Sequence, residues 1–254
     1  MKQVCLVIGA GAGVGGNVAR RFAQEDYHAV LCRRNDLEGL ERSVNAIRAD
    51  GHDATGYLLN AVEPNAIEDR VAAIEADIGP IGVAVYNLGA QIGNRALADT
   101  TQKAFETGWR LGTFGLFRLA SALFPHMEAR GEGTLLVTSS TASMRGNKGQ
   151  HSHAAAMGGR RMLCQTLNAE FAPKGIHVVH IVIDGSVDAP DTLGKMLGPE
   201  RFAALRQARG NEHHGLVLPE KLAETYLHLA RQHRSTWTHE IDVRSFSDLA
   251  WWNH

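Results

Sequence analysis

The apolar run Val4-Cys5-Leu6-Val7-Ile8 stops at Gly9, and the chain then reads Gly-Ala-Gly-Ala-Gly-Val-Gly-Gly through Gly16. From Val14 onward, in VGGNVARRFAQE, apolar residues recur at helical spacing. A short buried strand, a glycine-rich turn and a helix, in that order, admit few folds. Gly9, Gly13 and Gly15 have the small size that lets backbone approach a pyrophosphate. A helix opening at Val14 adds free N–H groups and the positive end of its dipole. The same residues without a ligand would be a tight strand–helix turn, so the rest of the chain has to decide.

It does so by repetition. Six further apolar runs suggest strands at 28–32, 54–59, 82–86, 133–138, 176–183 and 239–243, and segments such as LEGLERSVNAIRAD and AIEDRVAAIEAD separate them with a period near 3.6. Strand–helix alternation of this kind predicts an α/β fold: a Rossmann-type, doubly wound parallel sheet of about seven strands with helices on both faces. No repeat, low-complexity tract or linker interrupts it, so residues 1–254 are read as a single dinucleotide-binding domain. The least regular stretch, 184–219, is rich in Gly, Pro and charge and is expected to be a lid-like substrate segment over the C-terminal edge of the sheet.

Composition narrows the function. A net charge of −1 argues against a dedicated nucleic-acid or anionic-membrane binder. No apolar run has the length of a membrane span, and the chain enters its first strand too early for a signal peptide. Three scattered cysteines (5, 32 and 164) without metal-type spacing point to reduced thiols and a cytoplasmic setting. His151 and His153 form an H-x-H, but they diverge at a helix start and lack further ligands, so no metal site is expected. The second strand ends in Leu-Cys-Arg-Arg-Asn, with Arg33 and Arg34 where an acidic residue would select NAD. A guanidinium there favours a 2′-phosphate, hence NADP(H) over NAD(H). The alternative for this pair is a solvated helix-start charge.

Taken together, these motifs resemble the short-chain dehydrogenase/reductase family over essentially the whole chain. The Gly9–Gly13–Gly15 spacing matches, with Ile8 where the family has Thr. Tyr-Asn-Leu-Gly-Ala (86–90) is similar to the family's Asn-Asn-Ala-Gly turn; Asn87 and Gly89 are kept. Asn60 stands where the family often has an Asp that bonds the adenine amino group, and its carbonyl can accept the same bond. Asp184-Gly185 replaces the family's Pro-Gly after the sixth strand. The resemblance implies cofactor contacts from Gly9, Gly13, Val14, Gly15, Arg33, Arg34, Asn60, Asn87, Gly89, Gly185 and Val187.

The catalytic residues depart from the family. Its chemistry uses a Tyr, a Lys one helical turn later, a Ser and an Asn on the preceding helix. Residue by residue, Ser140 keeps the Ser, His153 replaces the Tyr, Met157 the Lys and Gly112 the Asn. Met157 cannot donate to ribose hydroxyls. His153, in the first turn of its helix, is expected to stay neutral because the macrodipole disfavours imidazolium. His151, and His213 and His214 in the lid-like segment, are further candidate proton donors, although His213-His214 also reads as a solvated loop pair.

Three readings follow. One is an NADP(H)-dependent oxidoreductase with a nonstandard site, using Ser140 and His153 on a carbonyl- or alcohol-like small molecule. Another is a catalytically silent NADP(H)-binding relative with a sensory, structural or partner-binding role. A third is a cofactor-independent isomerase or dehydratase on the same scaffold. The helices containing FGLFRLASALFPHM and AAAMGGRRMLCQTLNAEF resemble the family's dimer-forming pair, and Trp251-Trp252 fits an interface anchor, so a homodimer or homotetramer is expected.

Overall fold

The computed structural model describes residues 2–89, 94–210 and 212–253. Seven strands form one sheet: β1 (Val4–Ile8), β2 (His28–Arg33), β3 (Ala54–Leu58), β4 (Ile81–Tyr86), β5 (Gly133–Ser140), β6 (Ile176–Ile183) and β7 (Glu240–Val243). Their order is β3-β2-β1-β4-β5-β6-β7, and every pairing is parallel. The fold is thus the doubly wound α/β sheet that the alternation predicts, with strand limits within two residues of the expected ones.

Both faces of the sheet are covered, which is why its central strands read as unbroken apolar runs. In β1, Val4, Leu6 and Ile8 face one core and Cys5 and Val7 the other, following the two-residue period of a strand. The first core is completed by α3 (Ala66–Asp77), α5 (Gly115–Arg130) and α6 (His151–Phe171), the second by α1 (Val14–Ala23), α2 (Leu37–Ala49) and α9 (Pro219–Ala230). Cys5, Cys32 and Cys164 are buried and unpaired. Among the described residues, no helix is long and apolar enough to cross a membrane.

Two features position the site. The winding reverses between β1 and β4, so the loops at their carboxyl ends diverge and open a crevice there. Helix α4 (Gln102–Trp109) continues into α5 through a π-helical turn, Arg110–Phe114. A π turn disturbs the regular helical ladder and turns main-chain carbonyls toward other partners. The segment 184–219 differs from its expected irregularity: it contains a π-type turn (Pro190–Gly194), a short α7 (Lys195–Leu197) and an eleven-residue α8 (Pro199–Arg209). Pro199 at the first helical position, with Gly198 before it at positive φ, starts α8.

Candidate active site

The glycine turn is built for close approach. Gly9 has φ of +97°, and a Cβ there would come 2.6 Å from the Asn87 carbonyl oxygen. Asn87 Nδ2 donates to the Gly9 carbonyl at 2.9 Å and ties the end of β4 to the turn. Helix α1 has no side-chain cap and no acidic residue in its first turn, so its N-terminal donors are not claimed by a side chain there. A cleft of about 480 Å³ runs from this turn along the carboxyl ends of the strands. Of the residues expected to contact cofactor, Gly9, Gly13, Val14, Gly15, Asn87, Gly89, Gly185 and Val187 line it. Ala90, the last residue of the Tyr-Asn-Leu-Gly-Ala motif, lies outside the described residues.

Arg33, Arg34 and Asn60 stand beyond the cleft lining, at the ends of β2 and β3. The Asn60 amide donates to Glu63 Oε1 at 2.9 Å, while its Oδ1 is buried with no partner. An orphaned buried acceptor at this place fits an adenine amino group. Arg34 is exposed and makes no ion pair among the described residues. Arg33, by contrast, is bound on one nitrogen by two carboxylates: Nη2 lies 2.8 Å from Asp36 Oδ2 and 2.6 Å from Asp191 Oδ2.

At the opposite end of the cleft, β5 delivers Ser140 and the first turn of α6 delivers His153. Ser140 Oγ and His153 Nε2 are 3.1 Å apart. His153 Nδ1 is buried and, among the described residues, unpartnered. An orphaned N–H is costlier than an orphaned lone pair, so the geometry favours the tautomer with hydrogen on Nε2, donating to Ser140 Oγ. The serine O–H is then free to donate to a substrate oxygen. The ring is neutral, as expected, but for a different reason. Burial, followed by the nearby Arg160 cation, pushes its pKa down to about 4.

Arg160 is the functional residue that sequence reasoning missed. It is fully buried, lines the same cleft and, among the described residues, has no carboxylate partner. Its guanidinium instead donates to three main-chain carbonyls: Gly112 through Nε at 2.7 Å, Leu88 through Nη2 at 2.6 Å, and Thr138 through Nη1. Tyr86, standing where the family has the first Asn of its turn, lies with its ring 5.3 Å below the guanidinium, and its hydroxyl donates to the Leu111 carbonyl in the π turn at 2.5 Å. Leu111 and Gly112 are both π-turn carbonyls. Gly112, which cannot supply an Asn side chain, thus supplies its main chain. Met157, on the lysine position and one turn before Arg160, is buried against Ser139. The only hint in the sequence is Arg160 itself, a charge at a position where helical periodicity calls for an apolar residue.

A second cleft, of about 300 Å³, opens on the other side of His153 and Ser140. Its lining includes Asn147, Gln150, Asp184 and, from the C-terminal region, Asp248 and Leu249. Asp184 explains how that region comes to be here: its Oδ2 accepts from the Trp251 amide at 2.9 Å and from Arg244 Nε at 3.2 Å. The Trp251 indole donates to Asp242 at 3.0 Å. Trp251, expected as an interface anchor, is therefore engaged within its own chain; Trp252 and Phe246 are the exposed aromatics of this end. His151, His213 and His214 line neither cleft, and His213 and His214 are exposed.

The short chain dehydrogenase family model matches residues 3–192. The chain is 30% identical over 233 residues to the short-chain reductase protein NovJ of Streptomyces niveus, covering 91% of this chain and 87% of that one. It is 26% identical over 239 residues to the 3-oxoacyl-[acyl-carrier-protein] reductase FabG of Thermotoga maritima, covering 94% of each. A short-chain dehydrogenase structure from Rhodopseudomonas palustris superposes with a TM-score of 0.79 at 29% identity, covering 96% of this chain and 99% of that one. The chain belongs to the short chain dehydrogenase family and is an NAD(P)-dependent oxidoreductase of that family.

Proposed function

We propose that the protein is an NADP(H)-dependent reductase of a small carbonyl compound, with Ser140 and His153 as the catalytic pair. The observation that carries this reading is the 3.1 Å Ser140–His153 contact at the junction of the two clefts, where a substrate oxygen from one side meets a cofactor from the other. A bound nicotinamide cofactor supplies the hydride. Ser140 Oγ–H donates to the carbonyl oxygen and His153 Nε2–H donates to Ser140, so the pair stabilises the negative charge developing on that oxygen. With a pKa near 4, His153 is a weak base. It therefore acts on the substrate oxygen as a donor through Ser140 and not as a base. The proton that balances the hydride comes from bulk solvent.

Arg33 and Arg34 support a preference for the phosphorylated cofactor, and an actinorhodin polyketide ketoreductase of the same fold (TM-score 0.81, 24% identity) was crystallised with NADPH. Met157 favours the second reading, a relative that binds cofactor without turnover, because it offers nothing to the ribose hydroxyls. The segment 184–219 acts as the lid of the site: Gly185, Val187, Asp191 and Met196 wall the cofactor cleft. The protein self-associates through α4, α5 and α6, where Trp109, Phe114, Phe117 and Met162 are each about half exposed.

Fluorescence titration with NADPH and NADH, followed by NADPH-oxidation assays over a panel of ketones and aldehydes, tests the proposal. Preferential NADPH binding with turnover of at least one carbonyl is expected. NADPH binding without turnover of any compound would leave the silent relative, and binding of neither cofactor would end both readings.

A further inference from the structure

The adenosine end of the cleft is already occupied by an anion of the protein's own. Asp191, in the π-type turn of the segment 184–219, reaches across 158 residues of sequence to Arg33 Nη2 at 2.6 Å, and its same Oδ2 accepts from the Ala12 amide in the glycine turn at 3.3 Å. A cation and a main-chain N–H converging on one oxygen make an anion site. Next to it, Ala189 sits so close over Gly13 that a Cβ there would come 2.8 Å from the Ala189 methyl. The segment is thus laid directly onto the phosphate-binding turn. The Arg33 side chain retains only 12% exposure beneath it.

We propose that Asp191 is a tethered competitor of the cofactor's 2′-phosphate: its carboxylate fills the subsite of Arg33 and the Ala12 amide, and a phosphorylated dinucleotide has to displace it. This rests on the reading of Arg33 as a phosphate ligand. The charge balance supports displacement over coexistence. Arg33 already faces two carboxylates, Asp36 and Asp191, and a phosphate dianion brought to the same guanidinium would put three anionic groups around one cation. Asp36 belongs to the start of α2 and is fixed there by its bond from the Gly39 amide at 2.9 Å, whereas Asp191 is on the segment that walls the cleft. Asp191 is therefore the group that yields. Its other oxygen lies 3.5 Å from Lys195 Nζ on the same segment, which gives the displaced carboxylate a partner that moves with it. The consequence is that cofactor selection and lid position are set by one side chain.

The test is a set of titrations of the wild type, Asp191→Asn, Asp191→Ser and Arg33→Ala with NADPH, NADH, 2′,5′-ADP and ADP. Both Asp191 variants are expected to bind NADPH and 2′,5′-ADP about tenfold tighter than the wild type, the size of one charged hydrogen bond, with NADH and ADP changed by less than about twofold. Equal gains for the phosphorylated and unphosphorylated ligands would overturn the proposal, as would no gain or a loss for NADPH. The reading of Arg33 is judged separately: it fails if Arg33→Ala leaves the NADPH-to-NADH ratio of the wild type unchanged. A wild-type preference that Arg33→Ala abolishes and Asp191→Asn does not alter sinks the Asp191 proposal alone.

Discussion

His153 Nε2 stands 3.1 Å from Ser140 Oγ while its other ring nitrogen is buried without a partner. One nitrogen is thus committed to the serine and the other is sealed away, which makes the ring a one-sided hydrogen-bond donor and not a proton shuttle between two sites.

Replacing His153 with Phe should lower kcat by about 10²-fold, in the range of one lost donor that supports a developing oxyanion, with a smaller change in KM. Ser140→Ala should cost about as much. The double variant should be little worse than either single one, because the two residues act as a unit. The wild-type rate should show no His153 limb between about pH 5 and pH 9, since a ring with a pKa near 4 is already neutral throughout that range. A rate that falls along one ionisation near pH 6.5 would mean an imidazolium acid instead. Steady-state kinetics across pH decides between these.

Arg160→Leu should destabilise the protein by about 3 kcal/mol or more, because a fully buried side chain is lost and three main-chain carbonyls, the buried one of Gly112 and the half-buried ones of Leu88 and Thr138, lose their donor at once. Denaturant unfolding measures this. In the folded fraction, the His153 ring, followed by NMR, should titrate at higher pH, since a cation that disfavours imidazolium has gone. Arg160→Lys should recover part of the electrostatic effect and little of the stability, as an ammonium lacks the fork that reaches three acceptors. An unshifted His153 titration in Arg160→Leu would remove Arg160 from the electrostatics of the site.

Much of this is legible in the chain and some is not, for physical reasons. The runs Val4–Ile8 and Ile176–Ile183 coincide with observed strands because strands covered on both faces are apolar at every position. Gly9 and Gly13 mark the tight turn that lines the cleft because their spacing is local. Ser140 and His153 emerge from short-range alignment to the resemblance, and their contact follows from strand and helix geometry. The roles of Arg160 and Asp191 are not local. Arg160 is explained by carbonyls 22 to 72 residues away, and Asp191 by a turn 179 residues upstream. Helical structure at 199–209 was hidden because α8 packs only Phe202 inward, so its sequence carries almost no apolar period.

Acid should weaken the fold before carboxylates protonate. Burial pushes His153 and His180 down to about 4 in the folded chain, and it lowers His28 and His177 as well. Unfolded histidines titrate near 6.5. Between about pH 6.5 and pH 4 the unfolded state therefore binds more protons, and stability falls as pH falls, by at most about 1.4 kcal/mol per pH unit for each of His153 and His180. Thermal unfolding should show Tm dropping through this window, with a shallower slope in His153→Gln. A Tm that is flat from pH 6.5 to 4 would contradict the burial of these rings.

Phe117→Glu should convert the protein to a monomer, or weaken its association by at least about tenfold, if the half-exposed aromatics of α4 and α5 meet a second copy. Sedimentation velocity reads this directly. A wild-type protein that is monomeric at micromolar concentration would leave Phe114 and Phe117, whose rings stack 6.3 Å apart, without that partner.

The pairing of Met157 with Arg160 also bears on the history open to this site. Residues three apart on a helix have their Cβ atoms about 5–6 Å from one another, and Arg160 already brings its cation to the carbonyls of Leu88, Gly112 and Thr138. Restoring a lysine at 157 while Arg160 remains would set two buried positive charges side by side, and losing Arg160 first would strand those three carbonyls. Neither single substitution gives the family's arrangement. A lysine at 157 is thus compatible with this site only if Arg160 changes with it.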